Sequence, residues 1–182
     1  LPADRYYAAR SPIVPATATD DVGRDVLGKL LADDRDTVDG LVRDERFVGF
    51  AKDHALILDF GDRLAGFGAD DRLILFLTGW VEYGYSKTSV AVTQAGIEIE
   101  APVLEVPDGK GGWKKAAAIG YPAGNTRTMT YDVTGILGPT ASRCRIRTNL
   151  EVYWDRIYLA PDAAPGKLVT TSVLPVATHL HD

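Results

Sequence analysis

From residue 54 onward, apolar and polar side chains alternate in short runs: HALILDF (54–60), RLILFLTGWVEYGY (72–85), SVAVTQ (89–94), APVLEV (101–106), TRTMTYDV (126–133), RCRIRTNL (143–150) and VYWDRIYLA (152–160). Successive side chains of a strand point to opposite faces, so a two-residue period in segments rich in β-branched and aromatic residues predicts β-strands. The turn-forming clusters GDRLAGFGADD, PDGKGG, YPAGN, TGILGPTAS and PDAAPGK separate the runs. Many short strands with such punctuation imply a sandwich or barrel. No helix-length segments alternate with the strands, which excludes a βαβ layout. KLVTTSVLPVATHL (167–180) reads as a last strand, placed at an edge by Pro175.

The first fifty residues follow another pattern. Residues 1–20 carry Pro2, Pro12 and Pro15, which remove backbone donors and favour extended neighbours, so an extended arm is expected. Tyr6 and Tyr7 would be out of place in a free tail, and the arm is expected to lie against its own domain or a partner. Val22, Val26, Leu27, Leu30 and Leu31 recur at helical spacing behind Asp20 and Asp21, predicting a short helix over about 22–32. The expected organisation is therefore an arm over 1–20 and a single β domain over 21–182.

Alternation also assigns faces. Cys144, Ile146, Thr148 and Leu150 form an inward set opposite Arg143, Arg145 and Arg147. Met129, Tyr131 and Val133 oppose Thr128, Thr130 and Asp132. In 152–160, strict alternation puts Trp154 with Val152, Arg156 and Tyr158, and Tyr153 with Asp155, Ile157 and Leu159. Aromatic residues on both faces imply a strand covered on both sides or one interrupted by a bulge.

A chain of 182 residues, 46% hydrophobic and 25% charged, buries a core without disulfides or metal. Cys144 is the single cysteine, so no internal disulfide forms. A net charge of −5 with scattered Lys and Arg argues against nucleic acid as a partner. The longest apolar run, Leu73 to Leu77, is strand-sized, far below the ~18–20 residues of a membrane-spanning helix. The chain opens on Leu1, as a processed mature form or a fragment does.

The segments LILFLTGWVEYGYSKTSVAVTQAG, APVLEVPDGKGGWKKAAAIGYPAGNTRTMTYDVTG and RIRTNLEVYWDRIYLA carry a resemblance, to which GRDVLGKLLADD adds upstream. Residues from about 20 to about 160 resemble the C-terminal β-rich region of bacterial proteins that combine FG-GAP or ASPIC/UnbV repeats, often with tetratricopeptide repeats. The resemblance implies an antiparallel jelly-roll-like β-sandwich similar to galactose-binding-like domains, and an extracytoplasmic (periplasmic or secreted) setting. That region usually continues beyond the segment like ATHLHD, where this chain stops, which suggests truncation, processing or a derivative without the repeats. The resemblance supplies no catalytic motif.

Candidate chemistry is sparse. No Gly-x-Ser-x-Gly, His-Glu-x-x-His, P-loop or βαβ-type Gly-x-Gly-x-x-Gly occurs, so no enzyme activity, catalytic residue or cofactor is expected. Cys144 is expected to be a buried apolar side chain. Asp33, Asp34, Asp36 and Asp39 miss the EF-hand spacing and read as a solvated acidic loop. His179 and His181 make an incomplete metal site, with His54 remote in sequence, and no metal is expected.

Two sets of aromatic residues remain. Tyr6, Tyr7, Tyr83 and Tyr85 suit a protein interface, where tyrosine is enriched; packing of Tyr83 and Tyr85 under a loop is the competing expectation. Trp113, Tyr153, Trp154 and Asp155 offer ring faces and an acceptor for a sugar or small ligand. Core burial is the expectation for Trp154, with Asp155 satisfying loop amides or pairing with an arginine, and Trp113 anchors a hairpin at the core rim. The functional expectation is a non-catalytic interaction module, a structural or assembly subunit binding other proteins, with peripheral association with a membrane complex open to it. The alternative is a carbohydrate- or small-ligand-binding module.

Overall fold

The computed structural model describes residues 7, 9, 11–39, 41–68, 71–162, 171 and 177. Apart from Thr171 and Ala177, the strand expected over 167–180 lies outside the described residues, as do Tyr6, His179 and His181.

The protein is mainly β. Among the described residues eight strands form two antiparallel sheets: β1 (Thr17–Asp20), β2 (Phe50–Asp59), β3 (Leu73–Val81), β4 (Val103–Pro107), β5 (Trp113–Ala118), β6 (Arg127–Asp132), β7 (Arg143–Leu150) and β8 (Val152–Pro161). One sheet runs β1-β2-β7-β4-β5 and the other β6-β3-β8. A contiguous core draws Leu56 and Leu58 of β2, Leu104 of β4 and Ile146 of β7 together with Leu75 and Leu77 of β3 and Ile157 and Leu159 of β8. Inward and outward positions follow the sequence alternation on β7, where Cys144, Ile146, Thr148 and Leu150 are buried. On β6, Met129 and Tyr131 pack against the core. Burial pushes the Cys144 thiol up to about 12, with Asp59 adding to the shift, so it stays protonated.

Two elements correct the sequence expectations. The helix over 22–32 is replaced by a 3-10 turn at Leu27–Leu30. The Asp20 carboxylate accepts the amides of Val22 (3.1 Å) and Arg24 (2.8 Å), and Gly23 sits at φ 83°. The Val26 amide donates to the Ala18 carbonyl, so the chain folds back along β1 and leaves Val22 exposed. The second is SVAVTQ, which lies in α1 (Ser86–Gln94) and not in a strand. Thr88, Ser89 and Val92 share its shielded stripe, a spacing of three and four that no strand has. Gly96 at φ 71° ends it.

The last part of the expected arm is β1 itself, paired with β2 from Thr17↔Asp59 to Asp20↔Leu56. Further upstream, Ile13 exchanges backbone hydrogen bonds of 2.7 and 2.9 Å with Leu159. Tyr7 packs on Ile74, Phe76 and Ala160, on the face of β3 turned away from the main core. The arm therefore lies against its own domain at these points.

Of the two alternatives for 152–160, a strand covered on both sides or one with a bulge, the bulge is present. Thr78 pairs with Arg156 but Gly79 pairs with Trp154, so Asp155 is an extra residue on β8. The register slip reverses the alternation: Val152 and Trp154 point into the core on one side of it, and Ile157 and Leu159 on the other. Strict alternation, which grouped Trp154 with Arg156 and Tyr158, fails there. A Cβ at Gly79 would collide with the Tyr153 carbonyl and stand 3.2 Å from the Trp154 ring, so the bulge needs glycine opposite it.

Candidate functional site

The bulge positions a cluster of polar and aromatic side chains. Trp80 follows Gly79 on β3, with its ring on the face away from the core. It stacks on Tyr153 of β8 with centroids 4.3 Å apart and planes 14° apart. Tyr153 is held from below: its hydroxyl donates to the buried Glu151 carboxylate and accepts from Arg43 Nη2 at 2.7 Å. Arg43 Nε also pairs with Glu151 at 2.7 Å. Burial first, then the Glu151 carboxylate, pushes the Tyr153 phenol above its ordinary value, and Arg43 opposes both.

Asp155, fully buried, points its carboxylate at the acidic loop. It accepts the Arg35 amide at 3.1 and 3.3 Å and the Asp34 amide at 3.4 Å, while the Trp154 carbonyl accepts the Val38 amide at 2.7 Å. Burial and the neighbouring Asp33 carboxyl raise the Asp155 pKa, against the pull of the two amides. The loop that reads as solvated is thus tied to β8 through its backbone. Arg35, at φ 68°, is the sole non-glycine residue at positive φ among the described residues. Left-handed backbone costs a side-chain-bearing residue roughly 1–2 kcal/mol, and the Asp155 hydrogen bonds hold it there. Arg35, Trp80, Gly124, Asn125 and Thr126 together line an open cleft of about 470 Å³.

Just past this C-terminal end of β3 the chain turns a tight corner. A Cβ at Gly49 would collide with the Gly84 nitrogen and stand 2.8 Å from the Glu82 carbonyl, so the two backbones touch and fix the segment that carries Tyr83 and Tyr85. Tyr83 is 47% and Tyr85 73% exposed, and Val48, whose carbonyl abuts Gly84, is 49% exposed. Packing under the following loop is not what these tyrosines do.

The other expected ligand set does not assemble. Tyr153, Trp154 and Asp155 are all buried, Trp154 inside the core. Trp113 is half-buried on the outward face, not at the core rim. The guanidinium carbons of Arg143 and Arg145 lie 5.3 and 4.9 Å from its ring centroid. Arg145 also pairs with the buried Glu105. The turn before Trp113 is pinned by Asp108, which accepts the Lys110 and Gly112 amides at 2.7 and 2.8 Å and whose pKa these bonds lower. His54 Nδ1 lies 2.9 Å from the Lys52 carbonyl. Among the described residues no group of three or more His, Cys, Asp or Glu is placed to hold a metal ion. No described helix is long and apolar enough to cross a membrane.

Neither Trp80, which follows the most apolar run of the sequence, nor Arg35 nor Asn125 was among the expected site residues. Gly124-Asn125 in YPAGN marked a turn, but nothing in the chain announces that this turn faces a loop ninety residues upstream.

No protein family, no curated protein and no solved structure matches this chain.

Proposed function

We propose that the protein is a non-catalytic interaction module, an assembly subunit that engages another protein through Tyr83, Tyr85 and Val48. One observation carries this reading: two tyrosines and a valine are exposed on two segments whose backbones meet at the Gly49–Gly84 contact. A rigid platform loses little conformational entropy on binding, and tyrosine contributes large contact area with few rotatable bonds. Isolated exposed apolar residues are commonplace, but adjacent ones held rigid mark an interaction surface. Tyr7 has no part in it, since it packs on its own sheet. The partner surface therefore reduces to the corner, with Tyr6 outside the described residues.

The two sheets with a shared core support a jelly-roll-like sandwich as the arrangement of this module. The resemblance to the β-rich region of FG-GAP and ASPIC/UnbV proteins supports an extracytoplasmic place for it. In such a protein the corner would hold the module in a larger assembly, including one attached peripherally to a membrane.

Native mass measured on gently extracted protein tests the proposal. Wild type is expected to travel in a defined complex, and a Tyr83→Ser/Tyr85→Ser double variant at the mass of its own chain. Wild type running alone, or a complex indifferent to the double substitution, overturns it.

A further inference from the structure

A second candidate site stands on observations other than those at the tyrosine corner, so its case is independent of the assembly reading. The open cleft beside the β8 bulge, about 470 Å³, combines an indole, an arginine and a polar turn in its lining. One wall is the indole of Trp80, fixed by stacking on Tyr153, whose own hydroxyl is locked by Glu151 and Arg43. Arg35 and the turn residues Gly124, Asn125 and Thr126 complete the lining. Arg35 stands among Asp33, Asp34 and Asp36, yet its guanidinium makes no ion pair with any described residue, whereas Lys29 takes Asp36. Arg35 is exposed and lines the cleft, on a backbone that a buried carboxylate holds in the left-handed region.

We infer that this cleft binds an acidic sugar, a uronic-acid unit of an oligosaccharide. The apolar face of a pyranose ring covers the Trp80 indole. The sugar carboxylate meets the planar Arg35 guanidinium, which matches a carboxylate with two parallel N–H bonds. Ring hydroxyls exchange hydrogen bonds with Asn125 and Thr126, groups that both donate and accept. An aromatic wall without the guanidinium would suit a neutral sugar equally well, and Arg35 makes the difference. The chain's overall negative charge works against long polyanions, so a short acidic unit is the ligand that fits.

Calorimetric titration of the full chain with oligogalacturonate, oligoglucuronate and oligomannuronate, against neutral galacto-oligosaccharides of equal length, tests this. At least one acidic series is expected to bind saturably, at least tenfold more tightly than the neutral series. Trp80→Ala should abolish binding. Arg35→Gly is the decisive variant, because glycine relaxes the left-handed backbone: its thermal midpoint should equal or exceed that of wild type while the preference for acidic sugar disappears. Absence of saturable heat with every acidic series overturns the inference. So does binding that survives Trp80→Ala, or a preference for acid unchanged in Arg35→Gly.

Discussion

Asp155 on β8 holds the backbone amide of Arg35, 120 residues earlier in the chain, at 3.1 Å. The same carboxylate reaches the Asp34 amide, so one buried side chain docks the acidic loop onto the sheet. Asp155→Ala should leave both amides unsatisfied and cost about 1–3 kcal/mol, the usual penalty for an orphaned buried polar group. Urea unfolding measures the loss, and hydrogen exchange at Arg35 and Val38 should accelerate well beyond the global change.

Gly79 is the position that admits the bulge. Gly79→Ala places a methyl group against the Tyr153 carbonyl and the Trp154 ring, and over-packing of this kind costs roughly 1–3 kcal/mol. Because Trp154 and the Trp80–Tyr153 stack sit on either side, the substitution should also shift tryptophan emission in the folded state. An unchanged spectrum and midpoint would mean that the bulge does not depend on this contact.

At the opposite end of β3, Arg72 bridges Asp132 (2.6 Å) and Asp162 (2.5 Å). The Arg72 hydrogen bond first, and Thr134 second, hold the Asp132 carboxyl at about 2. A depressed folded-state pKa stabilises above the ordinary carboxylate value of ~3.9 and loses that contribution as pH falls through the folded value. Both side chains are partly exposed, so Asp132→Asn is expected to cost about 0.5–1 kcal/mol at neutral pH. The difference from wild type should vanish as pH falls toward about 2, measured as thermal midpoint against pH.

Asp155 has the opposite sign. Burial and Asp33 raise its pKa, so its contribution is fully present below about 3.9 and is lost as pH rises through the raised value. Asp33→Asn removes the like charge while leaving a donor beside the carboxylate. The variant should therefore melt above wild type at pH 7 and with it in acid. A midpoint difference that does not change with pH would count against the Asp33 carboxyl as a cause of the raised Asp155 pKa.

Periodicity by itself determined the mainly β character, six of the strand locations and the inward set of β7, because burial of one sheet face imposes a two-residue period that nothing else imitates over several strands. It also raised the bulge in 152–160, since aromatic residues on both parities cannot all face one core. Where apolar residues are few, the pattern misled. Val22 to Leu31 has helical spacing, but Asp20 captures the amides of Val22 and Arg24 and turns the chain along β1. Val90 and Val92 alternate like a strand, but α1 has no neighbouring strand to pair with and buries Val92 alone. Tertiary structure alone decided which aromatic residues remain available. Trp154 and Trp80 look equivalent in the chain, yet a single inserted residue at Asp155 sends one into the core, and the other stays on the outer face beside a loop from residue 35. Local sequence encodes the preference for a strand, but the register between strands, and therefore the meeting of Arg35, Trp80 and Asn125, is fixed by contacts made across the whole chain.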